Sequence, residues 1–189
     1  MQERDHRRLF AYGESMLKEV IEEHCITPKV LGVARLDRFR VDFFGHSKCW
    51  DGGIESIVKD PRETTWGILY ELDFSDAEAL DSVMDTRLDG TGFHFHYPVD
   101  VTLESGEVSD ALMYVMSEMG PFRPPSYEYL KRMVWGARER GLPKAYVERL
   151  YSMPNTPATY AVPMNRKAHA NASCDGCTDW REELKKVEA

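Results

Sequence analysis

The sequence predicts an α+β fold, a small mixed, partly closed β-barrel flanked by helices. Two observations carry this. Roughly six or seven stretches alternate apolar with polar residues or run rich in β-branched and aromatic side chains, and most are joined by short turns. Helical signals are confined to one early segment, one short mid-chain segment and a late pair. Strands joined this way bury their apolar faces by closing on themselves, with the helices packed around them.

Taken in order, the chain pivots on Leu9-Phe10-Ala11-Tyr12-Gly13-Glu14-Ser15-Met16-Leu17, a short buried strand that stops at Gly13 and turns into a helix running to about Glu23. Such a junction points several backbone N–H groups one way, where the helix dipole also favours negative charge. Two readings stand for it, an ordinary structural turn and a loop that holds a carboxylate or phosphate of a small ligand. Met16, Leu17, Val20 and Ile21 form one helical face. Period two follows in residues 30–36 and again in 38–43, where Phe39, Val41 and Phe43 alternate with charge. Residues 45–53 read as a loop and 54–58 as a short strand before a turn at Asp60-Pro61. The strongest strand signal is Thr64-Thr65-Trp66-Gly67-Ile68-Leu69-Tyr70-Glu71-Leu72.

Ser75-Asp76-Ala77-Glu78 has the form of a capping box opening a helix that runs to about Met84. A polar loop spans 85–92, and 93–103 with 110–117 form a hairpin about Glu104-Ser105-Gly106-Glu107. Pro121, Pro124 and Pro125 then break the sheet pattern, Ser126 caps a helix, and Gly141-Leu142-Pro143 separates it from a second helix over 144–151. The organisation expected is a frayed start over 1–8, a domain over 9–153 and an extended tail over 154–189 with a short helix near 180–187.

With 189 residues, 42% hydrophobic and 11% aromatic, the chain has material for one core and too little length for two generous domains. A net charge of −8 argues against a nucleic-acid or membrane-surface footprint, both of which need clustered Lys and Arg. A small-molecule partner fits better. No apolar run approaches the ~20 residues of a membrane span, and the polar start lacks a signal-peptide core, so a cytoplasmic location is expected. Cys25, Cys49, Cys174 and Cys177 are too few and too unevenly spaced for a disulfide scaffold, which makes thiols the default.

The order of Phe10-Ala11-Tyr12-Gly13, Val33-Ala34-Arg35-Leu36, Asp51-Gly52-Gly53-Ile54, Trp66-Gly67, Leu80-Asp81, Pro124-Pro125-Ser126 and Gly141-Leu142-Pro143 resembles the gamma-glutamylcyclotransferase family, close to its animal-type branch. The likeness covers roughly residues 9–153. It implies a barrel whose first loop, Tyr-Gly-Ser-Asn in the family, wraps a gamma-glutamyl group with backbone amides. It also implies a glutamate after the mid-chain helix that helps the substrate's α-amine attack its own γ-amide, releasing 5-oxoproline. No cofactor and no domain metal site are implied.

This chain departs from the pattern. Its loop reads Tyr12-Gly13-Glu14-Ser15; Glu14 is read either as a dipole-favoured helix-start residue or as an acid facing the pocket, where it would repel a carboxylate and favour an amine. Counting from Leu80-Asp81, the family glutamate falls on Met84, and counting back from Gly92 it falls on Arg87. Asp85 and Asp89 are the acids nearby, and Asp85 is the better candidate beside its reading as an ordinary loop residue. The candidate catalytic residues are therefore Asp85 and Glu14, and the candidate substrate-binding residues are Tyr12, Gly13, Glu14, Ser15, Met16, His94, Tyr114 and Tyr129. His94 stands where a third family tyrosine is expected, and His96 lies two residues on along the same strand.

The tail carries His169 and Cys174-Asp175-Gly176-Cys177, read as an incidental or locally oxidised pair, a metal site shared across a dimer, or a redox sensor. Three functions are compatible with these residues: a cyclotransferase acting on a gamma-glutamyl or related amide, a non-catalytic member binding an amino-acid-like ligand, and a redox- or metal-responsive interaction protein. Trp50, Trp135 and Trp180, read as exposed, pack either internally or across a homodimer.

Overall fold

A computed structural model describes residues 6–87 and 89–163. Its elements in chain order are β1 (Arg7–Ala11), a 3-10 turn (Glu14–Met16), α1 (Lys18–His24), β2 (Lys29–Ser47), β3 (Gly52–Leu72) and α2 (Phe74–Val83). They continue with β4 (His94–Leu103), β5 (Val108–Met116), α3 (Tyr127–Glu139) and α4 (Lys144–Tyr151). The five strands close a barrel in the order β1-β3-β2-β4-β5. All neighbours are antiparallel except β1 and β5, which run parallel and meet at Leu9 and Leu112. That contact joins residues 103 positions apart and completes a closure that local patterning renders only as partial.

β2 and β3 are longer than the period-two runs suggest. The expected break between 36 and 38 is a bulge: Asp37 pairs with Thr64 and Phe39 with Lys59, while Arg38 takes φ +68°. Residues 60–63, including Pro61, fall inside that irregularity, where a missing N–H costs no ladder bond. The expected loop over 45–53 contracts to a tight connection because Ser47 already pairs with Gly52. β1 also begins at Arg7, inside the stretch read as frayed, and Arg7 donates to Asp81 at 2.5 Å.

The barrel wall is packed on both faces, with Phe10 and Leu69 on one side of the β1–β3 pair, Tyr70 and Leu72 on the other, and all four almost wholly buried. Gly67 is where β3 crosses β1: a Cβ there would lie 2.3 Å from Ala11 O, so only glycine permits the approach. The C-cap of α3, Arg140, holds the first loop from outside, donating to Met16 O at 2.9 Å and to the Tyr70 hydroxyl at 3.0 Å.

α2 starts two residues earlier than its capping box predicts. Asp73 is the N-cap, accepting from Asp76 N at 2.9 Å, and Ser75 only donates to Asp73. The earlier start buries Asp76, whose carboxylate accepts from Ile26 N at 2.7 Å and Thr27 N at 2.9 Å and so ties the α1–β2 connection to α2. Asp76→Ala removes both charge-assisted bonds and is expected to lower unfolding free energy by about 3 kcal/mol in urea titration. An unchanged midpoint would mean that water replaces the carboxylate there. His169, Cys174, Cys177, Trp180 and the expected helix near 180–187 lie outside the described residues.

Candidate active site

The end of β1, the 3-10 turn and α1 form one wall of a cavity of about 400 Å³, completed by the starts of β3 and β4, the end of α2, β5 and α3. Of the residues expected to line a site, Tyr12, Gly13, Glu14, Ser15, His94, Tyr114 and Tyr129 do so. Met16 does not. It is fully buried under the 3-10 turn, because the chain makes that turn before entering α1. Asp85 does not line the cavity either. One of its carboxylate oxygens accepts from Phe93 N at 3.2 Å and the other from Arg87 Nε at 3.1 Å, fastening the 85–92 loop. Its backbone takes φ +46°, a turn conformation that directs the side chain into its own loop. Asp89 likewise bonds within the loop, to Thr91. Met84 is the residue of this stretch on the cavity wall.

Two carboxylates meet at the first loop instead. Glu55, on β3, accepts from Glu14 N at 3.0 Å through one oxygen and from the Tyr129 hydroxyl through the other. Gly13 makes this possible, since a Cβ there would stand 1.9 Å from Glu55 Oε1. A loop amide that an anionic ligand would use is thus donating to the protein's own carboxylate. Glu14 turns its side chain to Arg132, which donates from Nε to Oε1 at 2.8 Å. Arg132 is buried on α3 with its guanidinium 5.3 Å from the Trp50 ring centre, and Trp50 packs on Tyr129 at 5.0 Å. Trp50, read from sequence as exposed, is 7% exposed for this reason. Trp135 is 52% exposed.

The electrostatics of this cluster follow from its inventory of two carboxylates against one guanidinium. Burial raises both acids. For Glu14 it outweighs Arg132, with Glu55 adding repulsion, and its carboxyl is pushed up to about 7. For Glu55 burial outweighs the bonds from Tyr129 and Glu14 N, and its value also lies above the usual range. A second network sits on the far side of Tyr114, whose hydroxyl donates to Asp81 at 2.6 Å while His96 Nε2 lies 2.8 Å from the same oxygen. Burial pushes Asp81 up, but its bonds with His96, Tyr114 and Arg7 prevail and hold it at about 2. His94 Nδ1 lies 2.7 Å from Met84 O, and burial keeps its ring below the ordinary histidine value.

Glu14 has a consequence for stability. The unfolded chain releases this proton near the usual 4.5, whereas the folded chain holds it to about 7. The stabilisation is therefore complete below about 4.5 and lost as pH rises through about 7. The melting temperature of the wild type is expected to fall relative to Glu14→Gln between about pH 5 and pH 8, which parallel thermal melts would read. Parallel curves would place the proton elsewhere.

The human protein named gamma-glutamylcyclotransferase is 32% identical over 151 residues, spanning 77% of this chain and 78% of the relative. This chain belongs to the gamma-glutamylcyclotransferase family. The bovine gamma-glutamylcyclotransferase is 32% identical over 153 residues with the same shares covered. A solved structure titled gamma-glutamyl cyclotransferase superposes with a TM-score of 0.77 at 28% identity, over 88% of this chain and 98% of that one. A family model described as AIG2-like matches residues 64–150. Within the gamma-glutamylcyclotransferase barrel, this chain presents Glu14, Glu55 and Arg132 to its cavity. Sequence reasoning missed the last two. Arg132 follows Tyr129 by three positions on the buried face of α3, a spacing that marks an inward charge. Among the described residues no group of three or more His, Cys, Asp or Glu is placed to hold a metal, and no helix is long and apolar enough to cross a membrane.

Proposed function

We propose that the cavity cleaves a gamma-glutamyl amide by intramolecular attack and that Glu14 carries the protons. The observation that supports this reading is the Glu14–Arg132–Glu55–Tyr129 cluster on the first loop, beside a Met84 that has no proton to give. In the reaction the substrate's α-nitrogen forms a bond to its own γ-carbonyl carbon, closing a five-membered ring. The bond from that carbon to the leaving nitrogen then breaks, giving 5-oxoproline and a free amine. Two protons pass from the α-ammonium to the leaving amine, and Glu14 takes up and returns them, ending as it began. A carboxyl titrating near neutral pH is suited to both directions of transfer.

The other members of the cluster act by position. Arg132 orients the Glu14 carboxylate and tempers its affinity for the proton, while Glu55 fixes the loop through Glu14 N. Holding amine and carbonyl in one cavity supplies the advantage of a unimolecular reaction. The experiment is 5-oxoproline release from gamma-glutamyl amides by the wild type and by Asp85→Asn. Turnover that survives Asp85→Asn supports the reading. Turnover abolished by it would return the acid to the 85–92 loop, and no turnover with any amide would favour a ligand-binding member of the family.

A further inference from the structure

The cavity wall is unbalanced in charge. Glu14, Glu23 and Glu55 line it, and among the described residues its one lining guanidinium belongs to Arg132, already donating to Glu14 at 2.8 Å. Two imidazoles also line it, those of His24 at the end of α1 and of His94, whose Nδ1 lies on Met84 O and whose ring burial keeps below the ordinary histidine value. The amide of Glu14, at the point where a substrate carboxylate would dock on the loop, is taken by Glu55. Much of the remaining wall is hydrocarbon, including Val20, Ile54, Val83 and Phe93.

A gamma-glutamyl amino acid brings two carboxylates into such a cavity, one on the glutamyl α-carbon and one on the amino acid that leaves. The first can share the Arg132 guanidinium with Glu14. The second meets carboxylates and apolar surface, and a site that leaves a charge unpaired discriminates against its bearer. Building on the cyclotransferase reading above, we propose that this site selects gamma-glutamyl amides whose leaving amine carries no carboxylate, that is, gamma-glutamyl amines rather than gamma-glutamyl amino acids. Glu23, exposed on α1 at the cavity wall, is the specificity residue that lies outside the hydrogen-bonded Glu14–Arg132–Glu55–Tyr129 cluster; its charge also bears on Glu14, so the effect is read as the ratio between two substrates of the same variant.

The test compares gamma-glutamylethylamide with gamma-glutamylalanine, which differ by the one carboxylate, in a 5-oxoproline assay of the full chain. The kcat/KM of the ethylamide is expected to be at least about 10-fold the higher. Glu23→Lys, which replaces a repelling charge by an attracting one, is expected to raise kcat/KM for gamma-glutamylalanine about fivefold and so to narrow the ratio. Equal or greater turnover of gamma-glutamylalanine overturns the selection while leaving the cyclotransferase reading standing, as does a ratio that Glu23→Lys does not move. Absence of 5-oxoproline from both compounds overturns the cyclotransferase reading and the selection with it.

Discussion

Glu14→Gln is expected to lower kcat for 5-oxoproline release by at least about 100-fold, the lower end of what a positioned acid/base supplies. Glutamine has the size of glutamate and keeps a carbonyl oxygen for the Arg132 Nε donor, so the loop and the cavity wall retain their shape. What disappears is the group that changes protonation state. The loss should therefore fall on kcat, with KM changed little, because the interaction removed is one made with moving protons rather than with bound substrate. Asp85→Asn supplies the contrast. Its carboxylate fastens Phe93 N and Arg87, so some loop stability is lost while the rate stays within a few-fold of wild type. Single-turnover kinetics on the two variants check both expectations, and a Glu14→Gln enzyme with wild-type kcat removes Glu14 from the chemistry.

Gly13→Ala is expected to damage both fold and activity through a single methyl group. The added Cβ would stand 1.9 Å from Glu55 Oε1 and 2.6 Å from Glu55 Cδ, far inside van der Waals contact. Glu55 cannot yield without giving up Glu14 N on one oxygen and the Tyr129 hydroxyl on the other. Whichever side moves, a half-buried carboxylate and at least one of its donors lose their partner, which costs about 1–3 kcal/mol for each group left unsatisfied. The same displacement takes Glu14 off the geometry set by Arg132. A melting temperature lowered by several degrees together with a rate loss of at least about 100-fold is the expected pair of results. An alanine variant that melts and turns over like the wild type would show that the Glu55 contact does not organise the loop.

What was legible in the sequence is what local chemistry determines. The strand ending at Gly13, the Ser126 cap with its oxygen accepting from Tyr129 N, and the β4–β5 hairpin depend on residues close in the chain. The landmark order from Tyr12-Gly13 to Gly141-Leu142-Pro143 then identified the family. Barrel closure is different, since the parallel contact of Leu9 with Leu112 has no local signature. Glu55 was hidden for a specific reason. Its neighbours Ser56 and Ile57 are both buried although they point to opposite faces of β3, so alternation there does not distinguish inside from outside. An acid on a strand buried on both faces was the signal available. Asp85 was chosen for its nearness in sequence to the mid-chain helix, which says nothing about direction; its left-handed backbone turns the side chain into the loop.

With the first-loop carboxyl as proton carrier, the pH dependence of kcat/KM for a gamma-glutamyl amide follows the titration of Glu14. Because the carboxylate form must accept the first proton, activity in the wild type is expected to rise with pH through a limb near 7, where Glu14 titrates. That limb should vanish from the residual activity of Glu14→Gln and persist in Asp85→Asn. A limb near the ordinary carboxylate range that Asp85→Asn abolishes, or one near 7 that survives Glu14→Gln, would contradict the assignment.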